Sequence, residues 1–493
     1  MPNWYEELIA LFKDQIGQGE MAGTAYDTAW VASIPDPERP DRPAFPQALE
    51  WLRLHQHSDG SWGADVEYYH DRVLSTLIAC LILAQWHLDE WTDYQIEAGV
   101  KSLWRNTTRL GKDPCEPIGF ELILPTLLNH AKDMGFALPY AQYDPYVGER
   151  ERKISLIPRE LLYSRYVTST FSLEFLGREA QLAGMNGNLL ESNHSVATSP
   201  SATCFYLQQT HDVKAMHYLE RLVKIRQGAI PAVDPIDVFE RAWALRNLFQ
   251  VANQYPEPVR WHLDALAKAW KPDGMAYNRF VATPDLDNTA VTFAVLKHGG
   301  YDPNPDIFTR YELDDHFMCY AYERNPSISA HIHLLEALGA GGSFYGRERM
   351  LKKAQDFLTR TRTCSTFWYD KWHISPYYTT AHGITAAIPA MPDMVENAIE
   401  WVIQTQRLDG SWGYFSNSTA EETAYCLQAL SWCKRHGLRI PQAVFARGAD
   451  YLADSVERKS KSYLPLWISK TLYAPTWVIH SSVLSALAMC DSG

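Results

Sequence analysis

Two aspartates and an asparagine, Asp285, Asp287 and Asn288 in Pro-Asp-Leu-Asp-Asn-Thr-Ala, stand immediately before the helical run VTFAVLKHGGY. Acidic residues there commonly cap the helix, because a carboxylate accepts from the free backbone N–H groups of the first turn. A carboxylic acid in the same place can instead donate a proton. Two histidines, His331 and His333 in ISAHIHLLEALG, lie two apart and point to different helix faces. Each is a candidate base or a hydrogen-bonded core group. Asp113 and Glu116 in LGKDPCEPIGFE are three apart, a spacing that suits either a shared divalent cation or an acidic surface loop. Asp314 and Asp315 form an acidic pair without the third acid of a DDxxD motif. The eight cysteines contain no CxxC pair and no zinc-ligand spacing, which predicts reduced, cytosolic thiols.

The elements that must position these groups read as helices. VLSTLIACLILAQWHL, VFERAWALRNLFQVANQY, AHIHLLEALGA and ETAYCLQALSWCKRHG place apolar residues at three- and four-residue intervals, and breaker-rich connections such as IPDPERPDRPAFP and YDPNPD separate them. The expected fold class is all-α. One internal repeat is sharp: QHSDGSWG from Gln56 recurs as QRLDGSWG from Gln406, and WKPDGMAY near Trp270 is a degenerate relative. The copies lie too far apart for a tandem array and suggest one related motif in each of two helical domains. Asp-Gly turns the chain into a helix start while Gln and Trp tie neighbouring helices, so these motifs read as architecture.

With 493 residues, 46% of them hydrophobic, the chain can bury two or more cores. Its formal net charge of -13 argues against general affinity for nucleic acid or anionic membranes and leaves small molecules as the expected partners. The acidic, amphipathic N-terminus does not resemble a signal peptide, and no run of about 18 apolar residues could span a bilayer, so a soluble, cytoplasmic protein is expected. Aromatic residues make up 13% of the chain, which fits an aromatic core or a pocket for a cation or oily ligand.

The repeated segments are similar to the QW motifs of triterpene and diterpene cyclases. GTAYDTAWVA, PIGFELILPTL, TSPSATCFYL and PIDVFERAW resemble plant copalyl-diphosphate-type cyclases, whereas DKWHISPYYTTAH, TAEETAYCLQAL and LWISKTLY resemble bacterial tuberculosinyl (halimadienyl) diphosphate synthases. The agreement is collinear along nearly the whole chain. It implies a βγ didomain of two α-barrels, with residues 1–22 and 225–493 forming β and 23–224 an inserted γ. It also implies class II chemistry, in which geranylgeranyl diphosphate is protonated and closed into a bicyclic halimane, clerodane or labdane skeleton with the diphosphate retained. Farnesyl diphosphate giving a drimane, and a non-catalytic prenyl-binding barrel, are the alternatives. Asp285–Asn288 resembles the family's DxDD motif, so Asp287 is the expected general acid and Asp285 its orienting partner. Asn288, where the family has a third aspartate, should donate its amide to the acid's carboxylate.

The positions that match the plant family's His-Asn base hold Phe171 and Gly228, which makes His333 the expected terminal base. Trp270, Tyr277, Trp368, Trp372, Tyr377 and Tyr378 are candidates for the aromatic wall around the cation. Asp113 and Glu116 correspond to the stretch that recruits Mg2+ to the diphosphate, and a downstream class I synthase or phosphatase is an expected partner. No metal-cluster companion to the Asp314–Asp315 pair is visible, as ionisation of the diphosphate would require.

Overall fold

The computed structural model describes residues 3–252, 255–389, 391–457 and 463–491. Helices dominate; among the described residues the only paired strands form a small antiparallel hairpin, Trp467–Ile468 against Leu472–Tyr473. Local chemistry starts the central helices. Asp285 accepts from the Asn288 backbone N–H to open the Leu286–His298 helix, and Ser327 does the same from Ala330 for Ile328–Ala340. Ser375 precedes Pro376–Ala387, whose first-turn proline is preset for a helix. Thr419 and Glu422 form a side-chain pair at the start of Ala420–Arg435.

These helices are buried on nearly all sides. Every residue from Leu286 to Leu296 is buried, as an inner wall requires, whereas Trp4–Asp14 and Arg347–Arg360 bury one stripe and lie outside. One hydrophobic core gathers residues 4–21 and 232–488, and a second gathers 25–230. The architecture is an all-α double barrel.

The repeated motif is a latch. Gln56 donates to the carbonyls of Gly60 and Gln95, and Gln406 donates to those of Gly410 and Val444, each at 2.9 Å. The Trp62 indole N–H reaches the Leu52 carbonyl at 2.8 Å and that of Trp412 reaches Val402 at 2.7 Å, while the two backbone N–H groups donate to Thr76 and Thr423 in the following helices. Trp368 repeats both contacts, to Leu358 at 2.8 Å and Thr380 at 3.1 Å, and so forms a third latch. In the degenerate copy only the backbone half survives: Met275 stands in the tryptophan's place and its N–H donates to Thr289 at 2.9 Å.

The hairpin joins the two cores. Lys470 at its turn is fully buried and donates to Glu174 at 2.7 Å, Ser199 at 2.8 Å and Ser201 at 2.6 Å, all from the second core. On either side of the tip, the Ile118 N–H reaches the Ser469 carbonyl and the Leu472 N–H reaches Asp71.

Candidate active site

A cavity of about 560 Å³ opens between the cores, within the usual range for a small-molecule site. Phe239, Trp243, Trp467 and Tyr473 line it from the first core and Phe171 from the second. Asp285, Asp287 and Asn288 lie in its buried part. Glu116, Lys153, Arg324, Glu323 and Lys371 also line it, in a partly exposed region where Arg324 pairs with Glu116 at 2.7 Å and Lys371 with Glu323 at 2.5 Å. A greasy interior with an acid inside and a charged rim suits an amphiphile with an anionic head.

Asp285 is saturated with donors: the Asn288 backbone N–H at 2.7 Å, the Asn288 amide at 2.9 Å and the Tyr320 hydroxyl at 3.1 Å. Burial nevertheless pushes its carboxyl up to about 7, against the Asn288 N–H and with help from the neighbouring charge of Asp287. Asp287 is held differently. Its Oδ1 lies 2.5 Å from His333 Nδ1, while Oδ2 has only a long contact, 3.4 Å, from the Ser329 hydroxyl. Ser329 itself sits 2.7 Å from Asp370, which also accepts from Ser327 and the Ile328 N–H and so anchors the start of the helix that carries His333.

Several expectations change. The Asn288 amide donates to Asp285 rather than to Asp287, and its own carbonyl oxygen is buried without a partner. His333 does not face the cavity: it is fully buried, with Nδ1 on Asp287 and Nε2 2.8 Å from His382 Nδ1, so neither ring nitrogen is open to take a proton from a substrate. The terminal-base reading of His333 therefore gives way to that of a partner of Asp287. His331 is a core group, stacked 3.8 Å from Phe357, bonded to the Ser327 carbonyl and the Phe317 N–H, and pushed down to about 3 by burial.

Of the six aromatic candidates, Tyr277 and Trp372 line the cavity. Trp270 instead packs on Phe293, Trp368 is spent in its latch, Tyr377 stacks on Trp401 at 4.6 Å, and the Tyr378 hydroxyl accepts from Trp243 at 3.1 Å behind the wall. Trp243, Phe239, Trp467, Tyr473 and Tyr320 take the wall positions. Only their spacing on helices and hairpin could have marked them, and that spacing looks like core.

Asp113 and Glu116 both line the cavity, yet each is engaged. Asp113 accepts from the His70 backbone N–H at 2.8 Å and lies 2.7 Å from the His70 ring, and Glu116 holds Arg324. Among the described residues no three His, Cys, Asp or Glu side chains converge as a metal site. As they stand, the carboxylates of Asp113 and Glu116 are both taken by protein partners.

Comparison with known proteins fits this geometry. Residues 319–481 match the squalene-hopene cyclase C-terminal domain family. A type B diterpene cyclase of Mycobacterium tuberculosis is 36% identical, over 98% of both chains. A chloroplastic syn-copalyl diphosphate synthase of Oryza sativa is 33% identical over 73% of this chain and 48% of its own, so the chain spans about half the length of such plant relatives. Among solved structures, ent-copalyl diphosphate synthase from Streptomyces platensis superposes with a TM-score of 0.83 at 28% identity, over 99% of this chain and 100% of the other. The Arabidopsis thaliana ent-copalyl diphosphate synthase gives 0.74 at 25% identity, over 98% of this chain and 62% of its own. Among the described residues no helix is long and apolar enough to cross a membrane.

Proposed function

The chain belongs to the class II diterpene cyclases, and from that premise we propose that it closes geranylgeranyl diphosphate into a bicyclic diterpenyl diphosphate of the halimane, clerodane or labdane type, with Asp287 as proton donor. The observation that carries the reading is the asymmetry of Asp287. One carboxyl oxygen is held by His333, and the other, nearly free, belongs to a residue that lines an aromatic cavity. An alkene is a very poor base, so the donor must be a neutral acid whose conjugate base is stabilised as charge develops. His333 supplies that stabilisation at Oδ1. Asp287 gives its Oδ2 proton to the terminal double bond, the π electrons form the new C–H bond, and the cation is passed along the chain as rings close.

The faces of Trp243, Phe239, Trp467 and Phe171 support the travelling charge without trapping it. A proton then passes from carbon to water, leaving an alkene and an untouched diphosphate, and Asp287 regains its proton from solvent. Asp285, tied to Asn288 and Tyr320, holds the first turn of the helix that presents Asp287. Lys153, Arg324 and Lys371 suit the diphosphate head, and the occupied state of Asp113 and Glu116 favours Mg2+ arriving as the substrate's own chelate. A product that keeps its diphosphate calls for a further enzyme, an ionising class I synthase or a phosphatase.

The test is incubation with geranylgeranyl diphosphate, with products examined before and after phosphatase treatment, for the wild type and Asp287→Asn. A cyclic product that still carries diphosphate is expected from the wild type, and almost none from a folded Asp287→Asn protein, because an amide offers no sufficiently acidic proton. Near wild-type turnover by Asp287→Asn would overturn the assignment.

A further inference from the structure

Behind Asp287 runs a line of buried polar groups that ends on an arginine. His333 Nε2 meets His382 Nδ1 at 2.8 Å, His382 Nε2 meets Arg246 Nη1 at 3.2 Å, and Arg246 Nε donates to Glu336 at 2.9 Å. A guanidinium has donors and no acceptor, and it does not deprotonate in proteins. That fact assigns every proton in the line from the hydrogen-bond network. His382 Nε2 must accept from Arg246, so a neutral His382 carries its proton on Nδ1 and donates to His333 Nε2. His333 Nε2 must then accept, and its single proton lies on Nδ1, donated to Asp287 Oδ1.

The same logic forbids a competing reaction. For Asp287 to lose its proton to the nearby imidazole, His333 would have to become an imidazolium with a proton on Nε2. That proton would point at His382 Nδ1, which already carries one, while His382 Nε2 is taken by Arg246. Resting on the reading of Asp287 as the acid, we infer that Arg246 and His382 are positioning residues that lock His333 as a donor, so that the proton of Asp287 stays on Oδ2 and is delivered to the alkene rather than to the histidine.

The surroundings agree. Burial, followed by the charge of Arg246, holds His382 well below the usual imidazole range, which keeps it neutral. Other titratable or charged groups near the line are Tyr378 on the His382 helix, Tyr425 on Ala420–Arg435, His373 beside Tyr378, and Glu336, which neutralises Arg246 and has His298 nearby; at the acid end stand Asp285 and, through Ser329, Asp370. The Trp243 ring packs edge-on against His333, with ring centroids 5.5 Å apart. Of the tyrosines, Tyr378 accepts from Trp243 and Tyr425 is bonded to Glu421, and no hydrogen bond from either contests the histidine nitrogens.

Two measurements test the inference. In the wild type, 15N NMR of the histidine rings, assigned by difference against His333→Asn and His382→Phe, should show both histidines neutral with the proton on Nδ1. An Nε2–H tautomer or an imidazolium at either position overturns it, whatever the variants do. Second, Arg246→Met frees His382 to reverse, so His333 can take the acid's proton and a further proton is then needed to restore the reactive acid. The high-pH limb of kcat should move down by at least about one unit, roughly a tenfold loss where the wild type is still on its plateau, with KM for geranylgeranyl diphosphate little changed.

Arg246→Lys, which keeps a donor, should move the limb less. In a His333→Asn background Arg246→Met should not move it at all. If Arg246→Met does not fold because Glu336 is left unpaired, Arg246→Met/Glu336→Leu replaces it. An unmoved limb in the folded variant, or an equal shift in the His333→Asn background, refutes the lock. Failure of the underlying reading shows up separately, as an active Asp287→Asn enzyme.

Discussion

Asp285 and Asp287 are separated by one residue and live in different electrostatic worlds. Asp285 gathers three donors, whereas Asp287 shares one histidine and leaves an oxygen nearly bare. The raised carboxyl of Asp285 has a consequence for stability. Its value moves from 3.8 to about 7, so between those limits the folded protein binds a proton that the unfolded chain releases. Its contribution is full below about pH 4, is lost as pH rises through about 7, and is flat beyond.

Asp285→Asn removes that slope, and the partnerless Asn288 carbonyl oxygen is available to accept from the new amide. Between pH 5 and 8 the wild type should therefore lose a few kcal/mol more than Asp285→Asn in urea titrations, since each unit is worth about 1.4 kcal/mol. Glu240, raised to about 7, and Asp27, raised to about 6, titrate in both proteins and cancel in the difference. Equal losses would show that the Asp285 carboxyl keeps its ordinary behaviour.

At the scale of elements, the latch explains what could and could not be seen in the sequence. The all-helical class was legible because apolar residues recur at three and four, and two of the latches were legible because every letter of DGSWG is repeated. The third was hidden: around Trp368 the segment TRTCSTFWY has no Asp-Gly, yet its indole and backbone N–H groups make the same two bonds. Trp368 accordingly looked like a cavity aromatic when it is a fastener. The DLDN segment, with the helix it opens, was legible as the place of the proposed acid.

Its partners were not. His382 and Asp370 lie on segments whose letters say nothing about which way a side chain turns, and the preference for His333 over His331 rests on resemblance, which does not show that His333 bonds Asp287. Each latch tryptophan is fully buried, so Trp62→Ala and Trp412→Ala should each cost about 3–5 kcal/mol in chemical denaturation while leaving the product pattern unchanged. A stable variant of either that made a different product would assign the motif to catalysis.

Across the whole molecule, the two barrels are pinned by a charge with no access to water. Lys470 and Glu174 are both fully buried, and Glu174 also accepts from Tyr26 at 2.9 Å. A buried pair of this kind adds little over an apolar contact, but breaking one side leaves the other stranded. Lys470→Met should lower stability by about 3–5 kcal/mol, and adding Glu174→Gln should restore part of it, as read by urea titration of the single and double variants. A single variant as stable as the wild type would mean that the interface relaxes around the lone carboxylate.

The way the first core is assembled from both sides of the second bears on how the chain is made. The Trp4–Asp14 helix packs into the same core as Thr476–Asp491, and the Trp477 indole donates to Glu20 at 2.8 Å. During synthesis that first helix leaves the ribosome long before the partner it must meet. The 25–230 core, whose residues are contiguous, can close while translation continues, and domains generally fold as units in that order. Until the Thr476–Asp491 helix emerges, the apolar stripe of Trp4, Leu8, Leu11 and Phe12 lacks its final cover. The cavity, whose walls come from both cores, is therefore among the last features of the nascent protein to form.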